Sequence, residues 1–182
     1  MLKAISSFFK AKQPPSLAVT LYGAIVEQAR QPGFYRDRGV PDTLDGRFDL
    51  LVLHAFLVLR RLNGLGPEGQ AMAQELADLI FTDMDGNLRE IGVGDLSVGK
   101  RIKAMAKAFF GRLTVYDKAL AGVEGGEDLT QALLRNLYGT LPQADPAQAA
   151  LVAGYVRAAD ALLARQGADT LLKGQVSFPP VP

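Results

Sequence analysis

The chain has 182 residues, no cysteine and one histidine, and its 20 Lys and Arg nearly balance 19 Asp and Glu. Without cysteine, no disulfide, thiolate nucleophile or zinc–cysteine site can form, and His54 alone cannot build a site that needs two imidazoles. A net charge of +1 gives no general attraction to nucleic acid. The longest apolar run, 48–59, has twelve residues, short of the ~18 that a membrane span needs. The N-terminus lacks the apolar stretch and cleavage site of a signal peptide, so we expect a soluble, internal protein.

Residues 1–15 form a basic and aromatic N-terminal arm that Pro14 and Pro15 separate from the rest of the chain. The arm carries no acidic residue. It either docks on the domain as a short helix or contacts an anionic membrane surface. The membrane contact is assigned to Lys3, Phe8, Phe9, Lys10 and Lys12.

Helical periodicity begins directly after the arm. Ser16 is a suitable cap, and apolar residues then recur every four positions until Pro32-Gly33 ends the pattern. Glycine and proline make 34–47 a loop rich in charge and aromatics. Asp42 or Thr43 is then expected to cap a helix over about 44–62, which is apolar nearly all round and therefore predicted to lie at the centre of the domain.

The rest of the chain is predicted to be helical as well. Helices are expected over about 68–84, from a cap at Asp95 or Ser97 to about 121, near 129–138, and over about 146–166, with a polar loop at 85–95. No strand pattern appears, so the fold class is all-α, a single-domain array of about six helices over 16–166. Residues 167–182 are expected to form an extended, mobile, Pro-rich tail.

Two motifs in the middle of the chain imitate known sites. Gly94, Gly99 and Lys100 have phosphate-loop spacing, but Arg101 stands where the magnesium-binding Ser or Thr is needed, and no buried strand precedes the loop. The stretch from Asp83 begins like a calcium loop, but its sixth and twelfth positions are not Gly and Glu. Neither a nucleotide site nor a calcium site is therefore expected.

The remaining polar groups do not combine into a catalytic set. His54 lies within the most apolar helix and is expected to be a satisfied core histidine. Asp42, Asp45, Arg47 and Asp49 crowd the entrance of that helix and are expected to cap it or to pair with Arg30, Arg36 or Arg38. Because nucleophile, acid–base pair and oxyanion site do not occur together, the sequence does not support an enzyme.

The charged connectors carry a family resemblance. The stretches "FYRDRGVPDTLDGRFDLLVLHAFLVLRRL" (34–62) and "FTDMDGNLREIGVGDLSVGKRIKAMAKAFFGR" (81–112), with "LYGAIVEQAR" (21–30) and, more weakly, "LRNLY" (134–138), resemble the ubiquinol–cytochrome c chaperone family. The resemblance covers roughly residues 20–140.

The resemblance implies a helical chaperone without catalytic activity or cofactor. Members of this family assemble respiratory complex III and hold newly made cytochrome b. The mitochondrial members work with a small helical partner protein and meet the ribosome, and for this chain both contacts are left open. Since no Arg- and Ser-rich transit peptide precedes the domain, the chain resembles a bacterial member at the cytoplasmic face of the inner membrane.

The partner-binding surface is assigned to the fourth predicted helix, the loop before it and the 34–47 loop. A chaperone for a membrane protein should present an apolar groove with a charged rim. Arg47, Arg89 and Asp95 have an alternative role in a buried ion-pair network. The candidate contacts are Tyr35, Arg47, Phe48, Asp85, Arg89, Asp95, Lys100, Lys103, Phe110 and Arg112.

A carrier of an isoprenoid quinone or other lipid is the alternative function. Such a carrier would need a long tubular cavity between helices. A closed core with an exposed apolar patch would favour the chaperone instead.

Overall fold

The computed structural model describes residues 16–122 and 127–182, so the N-terminal arm and its expected membrane contacts lie outside the described residues. These two ranges contain eight helices and no strand. None of these helices combines the length and the apolar composition of a membrane span. The helices are α1 (Leu17–Ala29), α2 (Pro32–Arg36), α3 (Leu44–Asn63), α4 (Gly66–Glu90), α5 (Asp95–Ala121), α6 (Leu129–Asn136), α7 (Pro146–Arg165) and α8 (Ala168–Leu172).

Helix α3 is the centre of the fold, as its composition predicts. Every residue from Val52 to Leu59 is buried, and α3 packs against α1, α4, α5 and α7. Thr43, one of the two predicted caps, accepts a hydrogen bond from the Gly46 amide at 3.1 Å. A Cβ at Gly46 would lie 2.0 Å from the carbonyl oxygen of Pro41, so only glycine lets the Pro41 backbone pack this closely against the first turn of α3. The all-α prediction is confirmed.

Three boundaries differ from the sequence expectation. Part of the expected 34–47 loop is helical, because Pro32 occupies the first turn of α2, where its missing N–H costs nothing. Helix α4 continues to Glu90, so the expected loop at 85–95 shrinks to 91–94. The N-cap of α5 is Gly94, whereas Asp95 and Ser97 lie inside the helix. The polar side chains of 85–90 resemble a loop in the sequence, although they lie mostly on the exposed side of α4.

The segment after α7 is not uniformly extended. Helix α8 follows Gly167, and the residues after it lie against the domain with the partly buried side chains of Val176, Phe178 and Val181 on the core. The Phe178 ring meets the His54 ring edge to face at 5.4 Å between centroids. Gln28 donates a hydrogen bond to the carbonyl oxygen of Pro179 at 3.3 Å. The segment therefore covers the core instead of extending into solvent.

Phe178→Ala should lower the free energy of unfolding by about 1–3 kcal/mol, less than the roughly 3–5 kcal/mol for a fully buried phenylalanine. The reason is that the ring covers His54 while staying partly exposed. Urea denaturation would measure the change, with Ser177→Ala as control, because only the backbone of Ser177 takes part in hydrogen bonds. An unchanged midpoint for Phe178→Ala would show that the segment does not contribute to stability.

Candidate partner-binding groove

A groove of about 740 Å³ runs between the C-terminal half of α1, the short helix α2, the first half of α3, the end of α4 and the middle of α5. We call it the main groove. Leu44 and Ile91 stand at its rim with 68% and 60% of their surface exposed, so the groove is open to solvent. Its apolar lining includes Val26, Leu51, Met84, Leu88, Met105 and Ala108.

Charged side chains of both signs surround this apolar surface. Arg47 donates a hydrogen bond to Asp42 at 2.6 Å, and this bond lowers the pKa of the exposed Asp42 carboxyl. Asp83 accepts hydrogen bonds from Tyr22 and Asn87 at 2.7 and 2.9 Å. Two further lining residues, Arg30 and Arg101, form no ion pair with any residue that the structure describes. The lining residues Asp45 and Asp83 form no ion pair with a described residue either, so the rim presents unpaired charge of both signs.

The floor of the main groove carries a buried ion pair between α3 and α5. A terminal nitrogen of Arg112 lies 2.8 Å from Oδ1 of Asp49, and the two side chains are 21% and 7% exposed. Burial raises the pKa of Asp49 from 3.8 to about 7, with Arg112 opposing this change and the nearby Asp45 adding to it. The guanidinium also lies over the Phe48 ring, 5.8 Å from its centroid. The charge of Asp49 is thus only partly compensated.

Four of the residues proposed from the sequence line the main groove. They are Tyr35, Arg47, Phe48 and Arg112. The hydroxyl of Tyr35 donates to the carbonyl oxygen of Ala29 at 2.7 Å, which joins α2 to α1. Their role in partner binding stays a proposal.

The acidic and basic residues at the α4–α5 junction lie outside the lining. Arg89 donates to Asp85 at 2.6 Å and also to Asp95, so the three side chains connect the end of α4 to the start of α5. The side chains are 39–87% exposed, so the expected network forms on the surface and is not buried. Their contacts within the chain account for their positions without a partner.

Phe110 lies at a second, smaller pocket of about 210 Å³, which α3, α4 and α5 line away from the main groove. Its ring is 54% exposed and meets the Phe109 ring edge to face at 5.3 Å. Phe110 and the main groove therefore belong to separate surfaces.

The ion-pair partner of Asp49 is not among the residues that the sequence favours. The expected partners were Arg30, Arg36 or Arg38, whereas the observed partner is Arg112, which lies 63 positions later in the chain. Asp49 is the one acidic residue within the apolar run 48–59, and this is the sequence signal that could have marked it. Arg30 and Arg101 had no comparable signal.

The two stretches that resemble a phosphate-binding loop and a calcium-binding loop are largely parts of helices. Residues 95–98, between Gly94 and Gly99, already belong to α5, so no phosphate-binding loop forms. The calcium-like stretch from Asp83 belongs largely to α4. Within the described ranges, no group of three or more metal-binding side chains converges.

Lys100→Glu and Lys103→Glu should each change the free energy of unfolding by less than about 0.5 kcal/mol. Both side chains are exposed and make no ion pair with a described residue, so their charge does not stabilise the fold. Thermal melting at low and moderate salt tests this. A clearly lower melting temperature would show that the lysines belong to a stabilising network.

Several curated proteins are similar to the chain over most of its length. The match to ubiquinol–cytochrome c reductase complex assembly factor 1 from Mus musculus is 27% identical over 165 residues, covering 90% of this chain and 55% of that protein. The Xenopus laevis and Homo sapiens proteins of the same name are 26% and 27% identical, with 81% and 54% of their lengths covered. The chain spans about half the length of the mouse and human relatives.

A solved structure has the same fold. The crystal structure of the Cbp3 homolog from Brucella abortus superposes with a TM-score of 0.79 and 38% sequence identity, covering 91% of this chain and 90% of that chain. The sequence profile described as ubiquinol–cytochrome C chaperone matches residues 36–178, which include α3, α4, α5 and their connecting loops. The chain therefore belongs to the ubiquinol–cytochrome c chaperone family.

Proposed function

We propose that this protein is a non-catalytic assembly chaperone of the cytochrome b–c1 complex that binds newly made cytochrome b at the cytoplasmic face of the bacterial inner membrane. Family membership supports the general role, since the relatives are named as assembly factors of ubiquinol–cytochrome c reductase. The main groove supports the mode of binding.

The observation that carries this proposal is a sizeable apolar surface that the described chain leaves open. Contiguous exposed apolar surface on a soluble domain usually marks a binding site for a protein or a ligand. The main groove has methionines at positions 84 and 105, and flexible methionine side chains adapt to different apolar partners. Arg30 and Arg101 at the rim can pair with acidic groups beside the apolar segment of a client. An unassembled membrane protein exposes such segments before its subunits are in place.

Transport of a quinone or other lipid is the competing function. The volume of the main groove lies within the range of small-molecule sites, roughly 300–1,000 Å³. However, a lipid carrier should enclose its apolar cargo, whereas Leu44 and Ile91 stand exposed at the rim of an open groove. The geometry favours a polypeptide over a lipid.

Ala104→Glu should greatly reduce the amount of cytochrome b that co-purifies with the tagged chaperone from a cell lysate that retains its membranes. Ala104 lines the main groove with an exposed side chain, so the new carboxylate places charge on the apolar binding surface without entering the core. Bound cytochrome b would be quantified by mass spectrometry after crosslinking.

Ala161→Glu is the matched control, because Ala161 is an exposed helical alanine of α7 outside the main groove. It should retain the client. Equal capture by the two variants would show that the main groove is not the client site. A stoichiometric quinone or phospholipid in the purified chaperone, lost in Ala104→Glu, would favour the lipid carrier.

A further inference from the structure

Asp49 is the one carboxylate that is buried among the residues the structure describes, with 5% of its surface exposed. It lies on α3 at the floor of the main groove, beside Arg112 of α5. A buried ion pair is weak evidence for stability, because removing both charges from water costs several kcal/mol per ion before their attraction is counted. The position of Asp49 therefore needs an explanation other than stability.

The hydrogen bonding around this pair is incomplete. Although Oδ1 of Asp49 lies 2.8 Å from Arg112, it makes no hydrogen bond of acceptable geometry with any described residue. Nε of Arg112 and the hydroxyl of Tyr116, one helical turn further along α5, are also buried without a described partner. Asp45, one turn earlier on α3, adds negative charge to the environment of Asp49. Together these groups form a polar cluster that its own fold does not satisfy.

Binding of a helix in the main groove would worsen this deficit. The occupant would displace the remaining water from above Asp49 and Arg112, and a wholly apolar occupant would return no hydrogen bond. An occupant that carries a hydrogen-bond donor at this point would offset the desolvation. The floor thus penalises one class of helix and accepts another, which is how an apolar groove acquires specificity.

We propose that Asp49 is a specificity-determining residue of the main groove, which selects an amphipathic helix with a neutral hydrogen-bond-donating side chain, such as Gln, Asn, Ser or Thr, within its apolar face. Asp49 accepts the hydrogen bond, and Arg112 keeps the carboxylate in place. A neutral donor fits better than a cation, because burying a second cation beside Arg112 costs more desolvation than burying an amide or a hydroxyl. A carboxylate in the same place repels Asp49. This inference rests on the proposed function, in that the occupant is a helix of the client.

Three synthetic peptides test the proposal. Each is an 18-residue helix with leucine on one face and alanine and glutamate on the other, so that its acidic side complements Arg30 and Arg101. A central position of the leucine face is Gln, Leu or Glu. Fluorescence anisotropy of labelled peptides against the full chain at pH 8 gives the ratio of the Gln and Leu peptide affinities. This ratio should be about tenfold higher for the unaltered chain than for Asp49→Leu, the value expected for one hydrogen bond to a charged group, because the smaller apolar burial of Gln cancels in the comparison. The Glu peptide should bind most weakly.

Variants at Asp49 distinguish recognition of the hydrogen-bond donor from non-specific hydrophobic binding of the peptides. Asp49→Leu should remove the preference for the Gln peptide, and Asp49→Asn, which can donate as well as accept, should remove the penalty against the Glu peptide. If Asp49→Leu does not fold, Asp49→Asn carries the test. Glu75→Gln is the control, because Glu75 is an exposed acidic residue of α4 outside the main groove, and it should keep the order of the three peptides.

The inference is overturned if the ratio of the Gln and Leu peptide affinities is the same for the unaltered chain and for Asp49→Leu, or if no peptide binds. It is also overturned if Asp49→Asn leaves the Glu peptide as disfavoured as before. The co-purification of cytochrome b with Ala104→Glu and Ala161→Glu distinguishes a failure of the inference about Asp49 from a failure of the proposed function. A chain that captures cytochrome b through the main groove but does not discriminate among the peptides refutes only the role of Asp49.

Discussion

Asp49→Asn is expected to stabilise the protein at pH 8 by up to about 4 kcal/mol. Burial raises the pKa of this carboxyl from 3.8 to about 7, and each pKa unit is worth about 1.4 kcal/mol between folded and unfolded states. Since the folded state holds the proton more tightly, stability contributed by protonated Asp49 is present below pH 3.8 and is lost as the pH rises to about 7. Asparagine has nearly the same shape and never ionises, so it avoids the loss.

Urea denaturation of the unaltered chain and of Asp49→Asn from pH 4 to pH 8 measures this effect. The difference between their free energies of unfolding should be small near pH 4, grow through pH 7 and then level off. Glu75→Gln should show no such growth, because Glu75 is exposed, lies outside the main groove and makes no ion pair with a described residue. A loss of stability in Asp49→Asn at pH 8 would show that the attraction to Arg112 outweighs the cost of burial.

This expectation links stability with recognition. A residue that destabilises the free protein when it is charged, yet lies at the floor of an open groove, is better explained by a bound partner than by the fold. The variant should be more stable than the unaltered chain and less able to discriminate among helices. Both outcomes follow from one cause, which is the incomplete satisfaction of a buried carboxylate.

The architecture is largely predictable from local sequence patterns. Two patterns predict their helices well: the apolar stripe from Leu17 to Ala29 and the continuous apolar run in α3. Each pattern depends only on residues of one helix, because the spacing of core-facing side chains is set by the turn of that helix. Helix ends are less predictable. The polar residues of 85–90 continue α4 on the surface, where a helix needs no apolar side chains.

The main groove is much less predictable, because it joins side chains from five helices. Asp49 and Arg112 form their ion pair only when α3 packs against α5. The sequence of either helix alone does not indicate the partner residue on the other. Phe110 shows the converse error. It follows Phe109 directly, but a helix turns by about 100° per residue, so Phe109 enters the core while Phe110 faces outward at a different pocket.

Another buried titratable group, His54, lies on α3 and is fully buried. The carbonyl oxygen of Leu50 can only accept, so Nδ1 of His54 donates to it at 2.8 Å. Nε2 then accepts from the Tyr155 hydroxyl at 2.9 Å, and this hydroxyl in turn accepts from Gln28 at 3.0 Å. The predicted satisfied core histidine is confirmed, and its chain of hydrogen bonds requires the neutral ring.

His54→Gln is expected to destabilise the protein at pH 8 by about 2–3 kcal/mol and to make its stability less sensitive to acid. The loss at pH 8 comes from the buried hydrogen bonds and from ring contacts with Phe34 and Phe178. Burial lowers the pKa of His54 from 6.5 to about 4. The unfolded chain therefore binds the proton first, and the unaltered protein loses about 3 kcal/mol as the pH falls from 6.5 to 4, a loss that glutamine cannot show.

The two stability curves should therefore converge near pH 4, although the unaltered chain is clearly more stable at pH 8. Asp49 titrates in both proteins, so its contribution, which has the opposite sign, cancels in the difference between them. Tyr155→Phe is the control, because it removes a partner of His54 but keeps the titrating ring, and its curve should stay roughly parallel to that of the unaltered chain. If His54→Gln also follows a parallel curve, then His54 is not held neutral by burial, and acid sensitivity must arise elsewhere in the chain.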